Sequence, residues 1–137
     1  MHFTSRPMSG GLESRRTEYT WYLRQGWLSH LAEDHEPAAA AYEKAVAAAP
    51  RAVEPRMGLQ LPQLALRRWQ DAEATARAYL AALAMYPSDI DMRAGLGWSL
   101  LMEGRNAEAA HAFKAVLRVA PNHTSARAGL EAAVAAR

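Results

Sequence analysis

Cysteine is absent from this 137-residue chain, which excludes disulfide bonds and thiolate metal sites and is typical of a reducing compartment. Long apolar runs are absent as well, since none approaches the roughly 18 residues that a membrane span needs. Residues 1–16 also contain no apolar stretch of about 7–15 residues that would serve as a signal peptide. We therefore expect a cytoplasmic protein without a membrane span.

An excess of one charge is missing too, because 16 basic and 14 acidic side chains leave a formal net charge of +2. The arginines are scattered along the chain, and only two adjacent pairs, residues 15–16 and 67–68, stand out. Nucleic-acid binding needs a contiguous basic face with stacking aromatic side chains. We therefore expect no nucleic-acid partner.

Residue patterns that carry catalytic or metal chemistry are also lacking. The stretch HLAEDH places His30, Glu33 and Asp34 at helical spacing, but a metalloprotease signature needs a histidine directly after Glu33. We interpret this stretch as the polar end of a helix that runs into a turn. His111 and His123 have no ligand partner at a suitable spacing and are interpreted as surface residues. No phosphate-binding loop or serine triad spacing is present, so we expect no enzymatic activity, no metal and no cofactor.

A repeat is what the sequence does contain. Alanine-rich runs favour helix, because alanine loses no side-chain entropy there. The tetrapeptide Arg-x-Gly-Leu occurs at residues 56–59, 93–96 and 127–130, at spacings of 37 and then 34 residues. Pro50, Pro87 and Pro121 each follow an alanine-rich run and repeat the same two spacings. A shared period of this length indicates stacked helix pairs, each ended by a proline that cannot continue the helix.

The pattern of these pairs resembles the tetratricopeptide repeat (TPR) family, whose motif runs W-x2-L-G-x2-Y, then A-x3-F, then P. The third repeat matches through Gly97 and Phe113, and the first through Gly26 and Tyr42. The second departs from the motif, because Gln60 replaces the glycine and its proline comes three residues late. The further matching residues are Leu96, Leu100, Ala109 and Pro121 in the third repeat, Tyr22, Ala38 and Pro50 in the first, and Leu59 and Ala72 in the second.

This resemblance implies an all-α fold, an α-solenoid of three helix-turn-helix repeats with a C-terminal capping helix. We expect a flexible leader over 1–18 and a repeat domain over 19–137, with repeats at 19–52, 53–89 and 90–123 and the capping helix at 124–137. A three-residue extension of the second helix of repeat two would explain the longer spacing. Pro62 lies inside an apolar helical pattern and predicts a local kink, which Gly58, four residues earlier, would absorb. The glycines of the tetrapeptide are expected to mark close helix packing.

In the TPR family the first helix of each repeat lines a concave groove. The best-known members hold an acidic C-terminal tail there with lysine, arginine and asparagine, whereas the matching positions of this chain are mostly apolar. A peptide or amphipathic helix held by apolar contacts is therefore the expected ligand. Trp27, Leu61 and Trp98 occupy equivalent positions, so two tryptophans would flank a leucine. The candidate groove residues are Leu23, Trp27, Leu31, Met57, Leu61, Leu64, Ala94, Trp98 and Met102.

We thus expect a non-catalytic protein interaction module with a role in assembly or as a chaperone. Four alternatives stay open. The chain is a scaffold that self-associates through exposed apolar faces, or it is a piece of a longer repeat protein. Residues 1–18, which include Phe3 and Met8, fold back over the groove. Part of the apolar stripe, Leu31 and Leu64 in particular, packs against the neighbouring repeat instead of facing a ligand.

Overall fold

The computed structural model describes residues 11–82 and 89–136. Within these ranges the chain forms seven helices and no strand, which confirms the all-α class. The helices are α1 (Leu12–Leu31), α2 (His35–Ala48), α3 (Glu54–Ala65), α4 (Trp69–Ala82), α5 (Ile90–Met102), α6 (Asn106–Val119) and α7 (Thr124–Ala135).

The helices stack as an α-solenoid, as the resemblance implies. Each helix packs on the next one in the chain, and α1 also contacts α3, α3 contacts α5, and α5 contacts α7. Over the described part of the chain, α2, α4 and α6 make no comparable contacts with one another. The array therefore curves toward an inner layer formed by α1, α3, α5 and α7.

The turn inside each repeat uses a residue with left-handed backbone geometry. These residues are Glu33 (φ 55°), Arg67 (φ 61°) and Gly104 (φ 81°), and they share the 34- and 37-residue spacing. Glycine adopts this conformation without steric cost, whereas Glu33 and Arg67 do so against their preference. The HLAEDH stretch contains the first of these turns, so its polar residues end α1 and begin α2.

The glycines of the repeated tetrapeptide mark close helix packing, which confirms the prediction. A Cβ atom added at Gly58 would lie 2.4 Å from the Tyr42 ring, and one at Gly129 would lie 2.2 Å from the Phe113 ring. At Gly95 it would lie 2.2 Å from the side-chain oxygen of Gln60. In each case the large side chain belongs to the preceding repeat, so the glycine allows one repeat to stack on the next.

Gln60 has a structural reason for replacing the motif glycine. In the first and third repeats the glycine, Gly26 or Gly97, lies against the aromatic ring found sixteen residues later. In the second repeat that later position is Ala76, and the large side chain is Gln60 itself. Gln60 is buried, and its Nε2 donates a hydrogen bond to the Met92 carbonyl oxygen at 3.1 Å. The second repeat therefore has the large side chain on its first helix and the small one on its second, the reverse of the other two repeats.

The predicted flexible leader is wrong for residues 12–18, which belong to α1. The glycine, serine and proline that suggested flexibility are concentrated before residue 12, whereas LESRRTE is rich in good helix formers. Glu13 also lies in the first turn of α1, where a negative charge is favourable. Residues 1–10 of the proposed leader lie outside the described residues, and so do residues 83–88, where the proposed three-residue extension of α4 would fall. Pro62 lies within α3 and is fully buried.

Helices α4 and α5 are joined by a buried tyrosine. The Tyr79 hydroxyl donates a hydrogen bond to the carboxylate of Asp89, which also caps α5 by accepting from the Met92 N–H at 3.1 Å. Burial, and then the Asp89 carboxylate, raise the pKa of Tyr79 to about 12. The folded state therefore holds the Tyr79 proton more tightly than the unfolded state, where the tyrosine pKa is about 10.

We expect this bond to make stability sensitive to alkaline pH. The contribution of Tyr79 is complete below about pH 10 and is lost as the pH rises toward 12, on the order of 2–3 kcal/mol in all. Urea unfolding curves above about pH 9 should show a smaller pH slope for Tyr79→Phe than for the wild type. Parallel slopes for the two proteins would contradict this assignment.

Candidate functional site

The inner layer carries an apolar depression between α1 and α3, with a volume of about 420 Å³. This lies in the roughly 300–1,000 Å³ range of ligand pockets. Three predicted groove residues line it and remain half exposed: Trp27 at 54%, Met57 at 50% and Leu61 at 52%. The remaining lining residues are His30, Glu54 and Gly58.

The helical register explains how the lining residues come together. His30 follows Trp27 by three residues, and the two rings lie 5.7 Å apart at an interplanar angle of 32°. Glu54 precedes Met57 by one helical turn on α3. Gly58 lines the depression without a side chain, and the Tyr42 ring lies so close beneath it that a Cβ atom there would overlap the ring. His30, Glu54 and Gly58 were not among the predicted groove residues, although their i±3 spacing from Trp27 or from the stripe of α3 places them on the same face.

Trp98, the equivalent of Trp27 in the third repeat, has a different environment. Its ring packs edge to face on Phe113, with centroids 5.4 Å apart at 73°. Its indole N–H donates a hydrogen bond to the Ser125 hydroxyl of α7 at 2.8 Å. Trp98 is therefore partly buried between α5 and the capping helix, and the structure does not bring it to the depression lined by Trp27 and Leu61.

The other predicted groove residues do not line the depression. Leu31 and Met102 are exposed, at 60% and 52%, but do not line it. Leu23 is half-buried and packs on the core cluster of Ala39, Tyr42 and Leu59. Leu64 is half-buried and Ala94 is buried.

A larger depression of about 670 Å³ lies at the repeat turns and is lined mainly by polar side chains. Two of its arginines are paired: Arg68 forms an ion pair with Glu36, and Arg105 contacts Glu73 at 2.8 Å. Arg105 also binds Glu108, and this hydrogen bond holds the pKa of Glu108 below its usual range. These ion pairs link residues of successive repeats at the turns.

One of the histidines, His123, has structural surroundings that the sequence did not reveal. His123 is half-buried and caps α7, since its Nδ1 accepts a hydrogen bond from the Ala126 N–H at 3.1 Å. Its Nε2 lies 3.4 Å from an Asp91 carboxylate oxygen. The interpretation of His123 as a simple surface residue was therefore wrong, while His111 is exposed.

No group of three or more His, Asp or Glu side chains in residues 11–82 and 89–136 is placed to hold a metal ion. No helix in the same ranges combines the length and the apolar character needed to cross a bilayer.

Comparison with solved structures identifies the fold. The TPR domain of Arabidopsis OM64 matches with a TM-score of 0.75 at 15% identity, covering 88% of this chain and 98% of that domain. The first TPR of Spaghetti (RPAP3), bound to the HSP90 peptide SRMEEVD, gives 0.75 at 18% identity over 86% and 91% of the two chains. The second TPR domain of human RPAP3, in complex with the HSP70 peptide SGPTIEEVD, gives 0.75 at 18% over 88% and 98%.

These likenesses show that the chain has the fold of a TPR domain, which confirms the resemblance inferred from the repeated motif. No protein-family model matches the sequence, and no curated protein sequence matches it. The likeness therefore lies in the three-dimensional stacking of the helices and much less in residue identity.

Proposed function

We propose that this chain is a non-catalytic protein interaction module, with a role in assembly, that binds a peptide or an amphipathic helix of a partner. The observation that carries the proposal is the half-exposed apolar cluster of Trp27, Met57 and Leu61 around a depression on the inner layer. Two of the structurally similar TPR domains were solved with bound peptides, which supports a binding role for this fold.

Trp27, Met57 and Leu61 keep apolar surface in contact with water, which is unfavourable in free energy. Burying apolar surface contributes about 25 cal/mol per Å², and tryptophan is a frequent anchor of interfaces, where its truncation costs about 2 kcal/mol or more. About half of each of these side chains is exposed in the isolated chain. A partner that covers them gains the burial energy of that exposed half on binding.

We expect Trp27→Ala and Leu61→Ala each to weaken partner binding by at least about tenfold without unfolding the chain. A photoreactive group placed at Met57 would capture the bound protein from the native lysate, and the same protein would then be titrated against each variant. Val119→Ala is the matched control, because Val119 is 58% exposed on α6 and does not line the depression. Equal affinity of the wild type and Trp27→Ala would reject the proposal.

Self-association is the second candidate function, and a specific observation favours it. Leu28 and Leu31 are 51% and 60% exposed at the end of α1, next to Trp27. Exposed apolar side chains in such proximity are typical of an interface. Light scattering over a concentration series decides this point, since a monomer at every concentration would exclude the scaffold.

A further inference from the structure

The charge around the depression is acidic, and this bears on the chemistry of the partner. Glu54 lines the depression, is exposed, and lies one turn before Met57 on α3. Asp91 takes the equivalent place on α5, in its first turn, and its side chain is 90% exposed. The inner layer therefore carries a carboxylate at the start of α3 and another at the start of α5.

The stacking register places these carboxylates beside the apolar stripe. Trp98 contacts Ser125, which lies in the first turn of the next inner helix, α7. Trp27 shares the depression with Glu54, which holds on α3 the position that Ser125 holds on α7. Asp91 holds the corresponding position on α5, and its carboxylate oxygen lies 3.4 Å from His123 Nε2 at the start of α7. We define Glu54, which lines the depression, and Asp91 as the acidic lip of the inner layer.

Three arginines of the inner helices are directed elsewhere. Arg56 donates hydrogen bonds to the carbonyl oxygens of Pro50 and Ala52, both at 2.8 Å. Arg24 lines a separate depression with Trp21. Arg93 lines another, together with residues of α6. The described residues that line the apolar depression include the acidic Glu54 and no lysine or arginine.

The helix dipoles oppose the acidic lip but do not cancel it. A helix N-terminus carries about half a positive elementary charge, whereas each carboxylate carries a full negative charge. The potential of Glu54 also reaches nearby side chains. Burial first, and Glu54 second, raise the pKa of Tyr19 and of Tyr42. The site is therefore negative overall.

We infer that the depression receives an amphipathic segment with large apolar side chains on one face and lysine or arginine nearby, and that it disfavours acidic tails. The basic groups pair with the acidic lip while the apolar groups cover Trp27, Met57 and Leu61. This inference rests on the proposed function and deepens it. It also separates this chain from the similar domains solved with SRMEEVD and SGPTIEEVD, whose bound peptides end in two glutamates, valine and aspartate.

Three fluorescein-labelled peptides test this inference by fluorescence anisotropy. The first is a helical peptide with leucines at i, i+4 and i+7 and lysines beside them, the second has glutamate in place of each lysine, and the third is SRMEEVD. We expect the lysine peptide to bind at least about tenfold more tightly than the glutamate peptide at low salt. The difference should shrink as salt screens the charges.

Charge reversal supplies the matched variants. E54K/D91K should reverse the preference between the lysine and glutamate peptides, and circular dichroism melts check that the variant is folded. Glu131→Lys is the control, because Glu131 is exposed on α7, away from the depression, and should leave the preference unchanged. A glutamate peptide or SRMEEVD that binds as tightly as the lysine peptide overturns the charge inference and leaves the apolar groove standing. If Trp27→Ala binds the lysine peptide as tightly as the wild type, or if no peptide binds at all, the proposed function itself fails.

Discussion

Phe113→Ala is expected to lower the free energy of unfolding by about 3–5 kcal/mol, a large part of the total for a chain of this size. Phe113 is fully buried, and its ring lies against Gly97, Gly129 and Trp98. Removing it opens a cavity where α5, α6 and α7 meet, and none of these glycines has a side chain that could fill the space. The capping helix should therefore lose its main packing partner.

Urea unfolding followed by circular dichroism measures this effect, and Val119→Ala is the matched control. Val119 lies on the same helix but is 58% exposed, so its truncation should change stability by less than about 0.5 kcal/mol. A broadened transition in Phe113→Ala would show that α7 unfolds before the rest, because repeat proteins lose cooperativity at a weakened interface. A loss below about 1 kcal/mol would show that the cavity collapses and that Phe113 does not hold the three helices together.

The stacking of the helices was predictable because its physical cause is written locally in the sequence. Close contact between repeats requires a residue without a side chain opposite a large one, and Gly58, Gly95 and Gly129 supply it at a fixed period. The prediction of a flexible leader extended too far because the glycine and proline content was judged over residues 1–18 as one segment. Helix formation over residues 12–18 depends only on the residues within that segment.

The candidate site was only partly predictable, and the two tryptophans show why. Trp27 and Trp98 occupy the same position of the repeat. The next inner helix after Trp98, α7, carries Ser125 where the next inner helix after Trp27, α3, carries Glu54. The indole N–H of Trp98 bonds to that serine and the ring also packs on Phe113, which draws it into the interface with α7. Periodicity identifies equivalent positions, whereas exposure depends on contacts with residues 27 positions further along.

The exchange of small and large partners in the second repeat leads to a prediction that a double-mutant cycle measures. Gln60→Gly removes the buried hydrogen bond to Met92 and leaves a cavity beside Gly95, which should cost about 2–5 kcal/mol. Ala76→Phe places a ring at a fully buried position, the equivalent of Tyr42 and Phe113, which should cost about 1–3 kcal/mol.

The double variant Q60G/A76F restores the arrangement of Gly26 with Tyr42 and of Gly97 with Phe113, so its total loss should fall short of the sum of the single losses by at least about 1 kcal/mol. Urea midpoints of the wild type, both single variants and the double variant give this coupling energy. Gln60→Gly combined with Ala109→Phe is the matched control, because Ala109 is equally buried but lies on α6, which does not contact α3, and that pair should be additive. Additivity within about 0.5 kcal/mol for the first pair would mean that the two side chains do not fill the same space, and that Gln60 is retained for its hydrogen bond to α5 instead of for its volume.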